Sequence, residues 1–246
     1  MARQGILRLR AALITRMARP RLELFDGHLV ADAGGRFLLD TGSPVSFSST
    51  KTAHWAGQDH ELAISALGLD AVELSRLVGS RLDGLLGGDL LGLHPFTVDL
   101  ERGFCTFDEP LSGRQTVQLP IRLMLGVPLA DLDLDGTPTR CCIDTGARLS
   151  YVEEARLRGR EAVGETEDFY PGFGTFQTSI YEIAVGLGGL VFTMRAGLLP
   201  VGLSAMLESF GIAAILGTEL FQHFPVVTFD YPAARAVLVR NGERLV

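Results

Sequence analysis

Cysteine is scarce in this 246-residue chain, which has only Cys105, Cys141 and Cys142. An odd count with two adjacent residues does not form a disulfide framework, and adjacent cysteines rarely bridge each other because the geometry is strained. We therefore expect buried free thiols in a reducing compartment, and a cytoplasmic location.

Long hydrophobic runs and an excess of positive charge are also missing. The longest apolar region, residues 196–217, is interrupted by Pro200 and Glu208, so no stretch qualifies as a membrane span. The formal net charge of −7 argues against a nucleic-acid partner. The five histidines lack metal-ligand spacing, and no Gly-x-Ser-x-Gly turn of a serine hydrolase is present. We expect no metal, no cofactor, no nucleic-acid partner and no integral membrane segment.

The N-terminal segment differs from the rest of the chain in charge. Six arginines precede the first acidic residue, Glu23. Residues 1–20 are therefore predicted to form a basic N-terminal extension. Three interpretations stay open: an amphipathic helix that docks on the body or on an anionic surface, an Arg-rich targeting segment, or a loosely ordered extension.

The most informative pattern is an internal repeat of two motifs in the same order. Residues 37–43, Phe-Leu-Leu-Asp-Thr-Gly-Ser, resemble residues 141–147, Cys-Cys-Ile-Asp-Thr-Gly-Ala. Residues 85–91, Leu-Leu-Gly-Gly-Asp-Leu-Leu, likewise resemble residues 215–221, Ile-Leu-Gly-Thr-Glu-Leu-Phe. Two different motifs that recur in one order indicate the duplication of a structural unit.

Each unit is predicted to be mainly β-structure with a short helix before its second motif, at residues 70–78 and 203–210. In both units a strand bounded by Gly-Gly or Asp-Gly turns runs straight into the aspartate of the first motif. We predict a first lobe at residues 21–112 and a second lobe at residues 113–246, joined within a polar connector.

One Asp-Thr-Gly sequence is a weak signal, because Asp and Gly favour turns. Two copies at equivalent places are different, since a pseudo-twofold axis would bring Asp40 and Asp144 face to face. Adjacent carboxyl groups cannot both ionise easily, so the pair holds one proton between them. The ionised member can take a proton from water while the protonated member donates to a carbonyl oxygen. This is general acid–base hydrolysis of an amide.

Six neighbours are expected to support the two turns: Thr41, Gly42, Ser43, Thr145, Gly146 and Ala147. The glycines permit a sharp turn that points backbone N–H groups at the carboxylates, and the threonine hydroxyls are expected to bond to the backbone of the opposite lobe. The Ser43 hydroxyl is expected to donate to Asp40, whereas Ala147 offers no such donor to Asp144.

These motifs resemble the active-site turns of aspartic proteases of the pepsin and retropepsin kind. Residues 38–43 are similar to the pepsin turn, and residues 144–147 are closer to the retropepsin version. The resemblance implies a bilobal, mainly β acid-protease fold, a β-barrel fold with a few short helices. It also implies an aspartic endopeptidase that acts on a peptide or protein substrate as a monomer, with Asp40 and Asp144 as the catalytic residues.

In that family a β-hairpin flap closes over the substrate. The candidate flap lies in the second lobe, where glycines permit a hinge and an aromatic ring would cover the dyad; its residues are Tyr170, Gly172, Phe173 and Gly174. An ordinary Gly-rich hairpin is the alternative. The equivalent stretch of the first lobe, residues 51–60, shows no hairpin pattern of comparable quality. Phe47 and Tyr151, each seven residues after an aspartate, are expected to line the cleft.

Three other interpretations are weaker. A catalytically silent peptide-binding or regulatory module on the same fold is the main alternative, but both Asp-Thr-Gly sequences are intact. A structural protein with two coincidental turns is disfavoured by the second repeated motif. Residues 131–136 match the opening of a calcium-binding loop, yet the twelfth position is Cys142 instead of glutamate, which favours a strand and a turn.

Overall fold

The structure is a computed structural model that describes residues 19–107, 111, 116–171 and 173–240. The predicted N-terminal extension lies outside the described residues except for positions 19 and 20, as does most of the predicted connector. Within the described residues the chain is mainly β with a few short helices, as predicted. The helices are Ala71–Val78 (α1), Gly88–Leu91 (α2), Glu154–Leu157 (α3), Val201–Ser209 (α4) and Leu220–His223 (α5).

The strands are Leu22–Phe25 (β1), His28–Asp32 (β2), Arg36–Leu39 (β3), Phe47–Ser48 (β4), Thr52–Trp55 (β5), Gln58–Glu61 (β6), Ser65–Ala66 (β7), Leu69–Asp70 (β8), Gly84–Leu86 (β9), Phe96–Asp99 (β10), Phe104–Phe107 (β11), Thr116–Pro120 (β12), Arg122–Met124 (β13), Val127–Leu134 (β14), Thr137–Ile143 (β15), Ser150–Val152 (β16), Gly164–Tyr170 (β17), Gly174–Leu187 (β18), Leu190–Leu198 (β19), Ala214–Leu216 (β20), Val226–Asp230 (β21) and Arg235–Val239 (β22).

Local sequence explains where the predicted elements begin and end. Both residues of the Asp26-Gly27 turn between β1 and β2 have positive φ, 46° and 82°, as a tight hairpin turn requires. The Asp135-Gly136 turn between β14 and β15 is built alike, with φ of 52° and 78°, so residues 131–136 form a strand and a turn, as predicted. Asp70 caps α1 by accepting the N–H groups of Val72 and Glu73, both at 2.9 Å.

Two sheets contain the same arrangement of five strands. The first has the order β1-β2-β3-β9-β4, and the second contains β13-β14-β15-β20-β16 and continues through β19, β18 and β17 to eight strands. In each, the strand that leads to an aspartate is parallel to the strand of the second motif. The Asp40 N–H therefore donates to the Leu86 carbonyl, and the Asp144 N–H donates to that of Leu216, each at 2.9 Å. These bonds fix both aspartates at the ends of their strands.

A third sheet, of order β11-β10-β21-β22-β12, combines strands from the two predicted lobes. Its central pair is antiparallel β10 and β21. Across this pair the rings of Phe96 and Phe229 stack at 5.2 Å, and the hydroxyls of Thr97 and Thr228 bond at 2.7 Å. Because both rings are fully buried, this sheet forms a common core under the two aspartate-bearing sheets.

Residues 51–60, whose sequence shows no hairpin pattern comparable to that of the candidate flap, nevertheless contribute to a regular hairpin, β5–β6. The hairpin is anchored by Trp55, which is fully buried and meets the rings of Phe96 and Phe107 edge-on at 5.8 and 4.9 Å. The three cysteines are free and buried, as predicted. No helix among the described residues is long and apolar enough to cross a membrane.

Candidate active site

The structure brings Asp40 and Asp144 together at the junction of the two aspartate-bearing sheets. Each side chain is 8% exposed, and the two carboxyl groups are hydrogen-bonded to each other. The residues are 104 positions apart in sequence, so only the pairing of the two sheets through the common core places them in contact.

The two threonines of the turns cross between the sheets. The Thr41 hydroxyl donates to the carbonyl of Ile143 at 2.7 Å and accepts the N–H of Thr145 at 3.0 Å. The Thr145 hydroxyl reciprocates, donating to the carbonyl of Leu39 at 2.6 Å and accepting the N–H of Thr41 at 3.0 Å. The expected bonds from each hydroxyl to the opposite backbone are thus present. Four buried hydrogen bonds lock one turn to the other directly beneath the carboxyl pair.

The glycines of the turns lie directly against the opposite carboxyl group. A Cβ atom on Gly42 would come within 2.3 Å of the Asp144 carboxyl carbon, and one on Gly146 within 2.4 Å of that of Asp40. Both distances are far inside van der Waals contact. Glycine is therefore required at these positions because of the close approach of the other aspartate.

Backbone donors hold the carboxylates from below. The Ser43 N–H donates to Asp40 Oδ1 at 2.9 Å, and the N–H groups of Gly146 and Ala147 donate to Asp144 Oδ1 at 2.9 and 3.1 Å. The expected bond from the Ser43 hydroxyl to Asp40 is absent, because that hydroxyl donates to the carbonyl of Val45 at 2.8 Å. A local backbone acceptor two residues away competes successfully for the hydroxyl proton.

Burial raises the pKa of both carboxyls, and their proximity couples the two titrations. Burial, followed by the neighbouring Asp144 charge, raises the pKa of Asp40 well above its ordinary range. Burial also raises the pKa of Asp144, but the bond from Asp40, the N–H groups of Gly146 and Ala147 and the nearby His28 hold it down. The two carboxyls therefore titrate as one pair that holds a single shared proton.

A large apolar cavity opens beside the carboxyl pair. This first cavity has a volume of about 370 Å³, and both aspartates contribute to its wall. Phe47, one of the two predicted cleft residues, lines it together with Leu125, Val127 and Met206. Most of its surface is apolar, which suits the side chain of a hydrophobic amino acid.

A second cavity, of about 40 Å³, lies on the other side of the pair. Tyr151, the other predicted cleft residue, belongs to the wall of this cavity, and its hydroxyl donates to Asp168. Phe47 and Tyr151 hold equivalent sheet positions, since they pair with Leu85 of β9 and Ile215 of β20. The two predicted cleft residues are therefore on opposite sides of the dyad.

The hairpin of β17 and β18 lies over the carboxyl pair. Tyr170 lines both cavities beside Asp40 and Asp144, and burial raises its pKa. Phe173 lines the first cavity only and meets Tyr170 edge-on at 6.1 Å. Gly174 begins β18 with a φ of 72° and lines neither cavity, and Gly172 lies outside the described residues.

In the first half of the chain the hairpin that reaches the first cavity is β7–β8, not residues 51–60. Its residues Ala66, Leu67 and Leu69 line the cavity, as Phe173 does. Each strand of this hairpin is only two residues long, joined by Leu67-Gly68 with φ of 52° and 78°. The two hairpins thus approach the pair from opposite halves, and they differ greatly in length.

Sequence reasoning missed a group of charged residues beside Asp144. His28 Nδ1 donates to the carbonyl of Gly146 at 2.9 Å, and burial lowers its pKa. Arg148 Nε bonds to the buried Asp168 at 3.3 Å, and its Nη1 reaches Asp26 at 3.1 Å. These contacts tie the β1–β2 turn and the part of β17 near the hairpin tip to the second Asp-Thr-Gly turn. Separations of up to 122 residues left no local signal for them.

Among the described residues no group of three or more His, Cys, Asp or Glu side chains is arranged to hold a metal ion. Burial raises the pKa of each of the three thiols, so they do not supply a nucleophilic thiolate. The chemistry of the site therefore depends on the carboxyl pair.

No protein-family profile and no curated protein sequence matches the chain. Among solved structures, a retropepsin-like aspartic protease from Rickettsia conorii is similar at 13% identity and a TM-score of 0.37, over 50% of this chain and 89% of that one. A foamy viral protease-reverse transcriptase in complex with an RNA/DNA hybrid is similar at 19% identity and a TM-score of 0.30, over 43% of this chain and 11% of that one. Both similarities are distant, so the function is inferred from the site itself.

Proposed function

We propose that this protein is an aspartic endopeptidase that hydrolyses peptide bonds with Asp40 and Asp144. The observation that carries the proposal is the pair of buried, mutually hydrogen-bonded carboxyl groups on two crossed Asp-Thr-Gly turns. Two acids in contact share one proton, which supplies a general base and a general acid at the same point in space. An apolar cavity beside them gives a substrate side chain a place to bind.

The two aspartates take different roles in the reaction. Asp144, held as the carboxylate by backbone N–H groups, accepts a proton from the attacking water. Asp40 holds the shared proton and donates it to the oxygen of the scissile carbonyl. The tetrahedral intermediate then collapses as a proton passes to the leaving amine. No covalent bond to the protein forms.

The long hairpin of β17 and β18 serves as the flap of the proposed enzyme. Tyr170 and Phe173 cover the carboxyl pair from the solvent side, and the hairpin tip must lift to admit an extended peptide. Closure would exclude bulk water and so strengthen each electrostatic interaction inside the cleft.

The proposed enzyme is a single-chain pair of retropepsin-like lobes, the first at residues 21–112 and the second at residues 113–246. The matching strand orders around β3 and β15 support a duplicated origin for these lobes. Ser46 and Ser150 support it too, because each sits six residues after its aspartate and accepts the N–H of Gly87 or Gly217. Since one chain provides both aspartates, the proposed active form is a monomer.

The proposal is tested with a mixed peptide library and the full-length protein, comparing the natural chain with Asp144→Asn. Cleavage by the natural chain, absent in a folded Asp144→Asn variant, is the expected result. Products formed in H₂¹⁸O should carry the label in the new carboxyl group, as hydrolysis by water requires. A peptide-binding module would instead bind library members equally well in both forms and leave every peptide intact.

A further inference from the structure

The first and second cavities are built from equivalent positions of the two halves. Val127, the first residue of β14, lines the first cavity, and His28, the first residue of β2, lines the second. Cys142 and Leu38, each two residues before an aspartate, correspond in the same way. The pair Asp40 and Asp144 borders both cavities. An extended peptide across the pair would present one side chain to each cavity.

Despite the matching walls, the volumes differ by about ninefold, at about 370 and 40 Å³. The hairpins that line the two cavities also differ, because Tyr170 of the long hairpin lines both cavities whereas the β7–β8 hairpin lines only the first. The β7–β8 hairpin has two-residue strands and offers only Ala66, Leu67 and Leu69 to the first cavity. The β17–β18 hairpin pairs seven residues on each side and reaches across the carboxyl pair.

Phe169 of the long hairpin forms part of the wall of the second cavity. Its ring lies 5.6 Å from the ring of His28 and packs on the apolar cluster that contains Leu38 and Leu74. The Phe169 N–H donates to Asp168 Oδ1 at 2.9 Å, and Asp168 is bonded in turn to Arg148. The ring is therefore anchored through the backbone of its own strand to the turn that carries Asp144.

We propose that Phe169 is a specificity-determining residue, which rests on the proposed endopeptidase function. As part of the wall of this small cavity, it restricts the substrate residue on that side of the scissile bond to a small side chain such as alanine or glycine. The residue on the other side enters the open first cavity and is large and apolar. The preference of the enzyme around the cut bond is thus asymmetric, although the two catalytic turns are nearly symmetric.

The experiment compares the natural chain with Phe169→Ala, Phe169→Leu and the control Phe173→Ala, each checked for folding by circular dichroism. The substrates are peptides with phenylalanine on one side of the scissile bond and either alanine or phenylalanine on the other, cut sites being read by mass spectrometry. The measured quantity is the ratio of kcat/KM for the double-phenylalanine peptide to that for the mixed peptide. A ratio within one variant is insensitive to a general loss of activity.

The natural chain is expected to favour the mixed peptide. Phe169→Ala should raise the ratio at least about tenfold, since a pocket that gains or loses apolar volume changes discrimination by this order. Phe169→Leu keeps an apolar side chain that packs under the hairpin and should give a smaller increase in the ratio. If the alanine variant misfolds, the ratio of the leucine variant tests the inference. Phe173 lines the first cavity and not the second, so Phe173→Ala should leave the ratio of the two kcat/KM values unchanged.

A natural chain that cleaves the double-phenylalanine peptide as well as the mixed one would overturn the inference, as would Phe169 variants with the ratio of the natural chain. Either result would leave the endopeptidase proposal standing, because cleavage is observed. Absence of cleavage of every peptide by the natural chain would instead refute the proposed function and the inference with it.

Discussion

Replacing Thr41 by valine removes one of the two threonine hydroxyls that form the four hydrogen bonds between the turns beneath the carboxyl pair. It changes little else. Valine has nearly the shape of threonine, and the Thr41 side chain is fully buried. The substitution deletes the bond donated to the Ile143 carbonyl at 2.7 Å and the bond accepted from the Thr145 N–H at 3.0 Å. Its consequences therefore report on these two hydrogen bonds.

The cost follows from what the substitution leaves behind. A buried donor or acceptor without a partner costs about 1–3 kcal/mol, and here the N–H of Thr145 and the carbonyl of Ile143 both lose one. We expect the free energy of unfolding to fall by about 2–6 kcal/mol, the sum for the two groups. Loss of the lock also lets the two turns shift relative to each other, and a displacement of about 1 Å is enough to lower kcat by roughly 100-fold.

Urea denaturation and peptide hydrolysis on the same protein preparations measure the two effects. The control is Thr41→Ser, which keeps the hydroxyl and loses one methyl group, at a cost of about 1 kcal/mol and little activity. If Thr41→Val were no less stable than Thr41→Ser and equally active, the hydrogen-bond lock could not have the role assigned to it here.

Three further predictions concern the same site. Asp40→Asn should raise the Tm at pH 7 but not near pH 3. Because the pKa of Asp40 is raised in the folded protein, its ionisation lowers the stability of the fold; this loss is absent below the ordinary carboxyl range and grows as the pH rises through the folded-state pKa. Equal changes in Tm at both pH values would contradict this. Gly42→Ala forces a methyl group to within 2.3 Å of the Asp144 carboxyl carbon. We therefore expect this variant to be inactive in peptide hydrolysis and to melt at a lower temperature than the natural chain. A variant as active and as stable as the natural chain would refute the close approach. Arg148→Met strips the buried Asp168 of its cation and should lower the free energy of unfolding in urea by roughly 3 kcal/mol. The control Arg76→Met removes an exposed i,i+3 ion pair and should leave the free energy of unfolding almost unchanged.

The strands and turns of the site were predictable because their signals are local. The strand pattern and the Asp-Thr-Gly motif that follows it are adjacent in the sequence, so both can be predicted from it. The repeat indicates that Asp40 and Asp144 occupy equivalent places. The crossed threonine bonds followed from that equivalence. The Asp26-Gly27 turn was also predictable, since Asp-Gly is among the strongest short sequence signals for a tight hairpin turn.

Other features depend on competition or on distant partners. The Ser43 hydroxyl has two acceptors within reach, and sequence alone does not reveal that the Val45 carbonyl wins over Asp40. The β7–β8 hairpin carries the turn signal Leu67-Gly68, but its two-residue strands are too short to show an alternating pattern. The hydrogen bond from His28 to Gly146 joins residues 118 positions apart, so the sequence around either residue does not predict it.

The central claim is that one proton shared by Asp40 and Asp144 drives hydrolysis, and the pH dependence of kcat/KM tests it most directly. The measurement covers pH 3 to 7 for the natural chain, Asp40→Asn and Asp144→Asn, with folding verified at each pH. We predict a bell-shaped profile for the natural chain and no cleavage by either variant, because each variant lacks one member of the acid–base pair. Cleavage that persists in either folded variant with an unchanged profile would contradict the shared-proton mechanism.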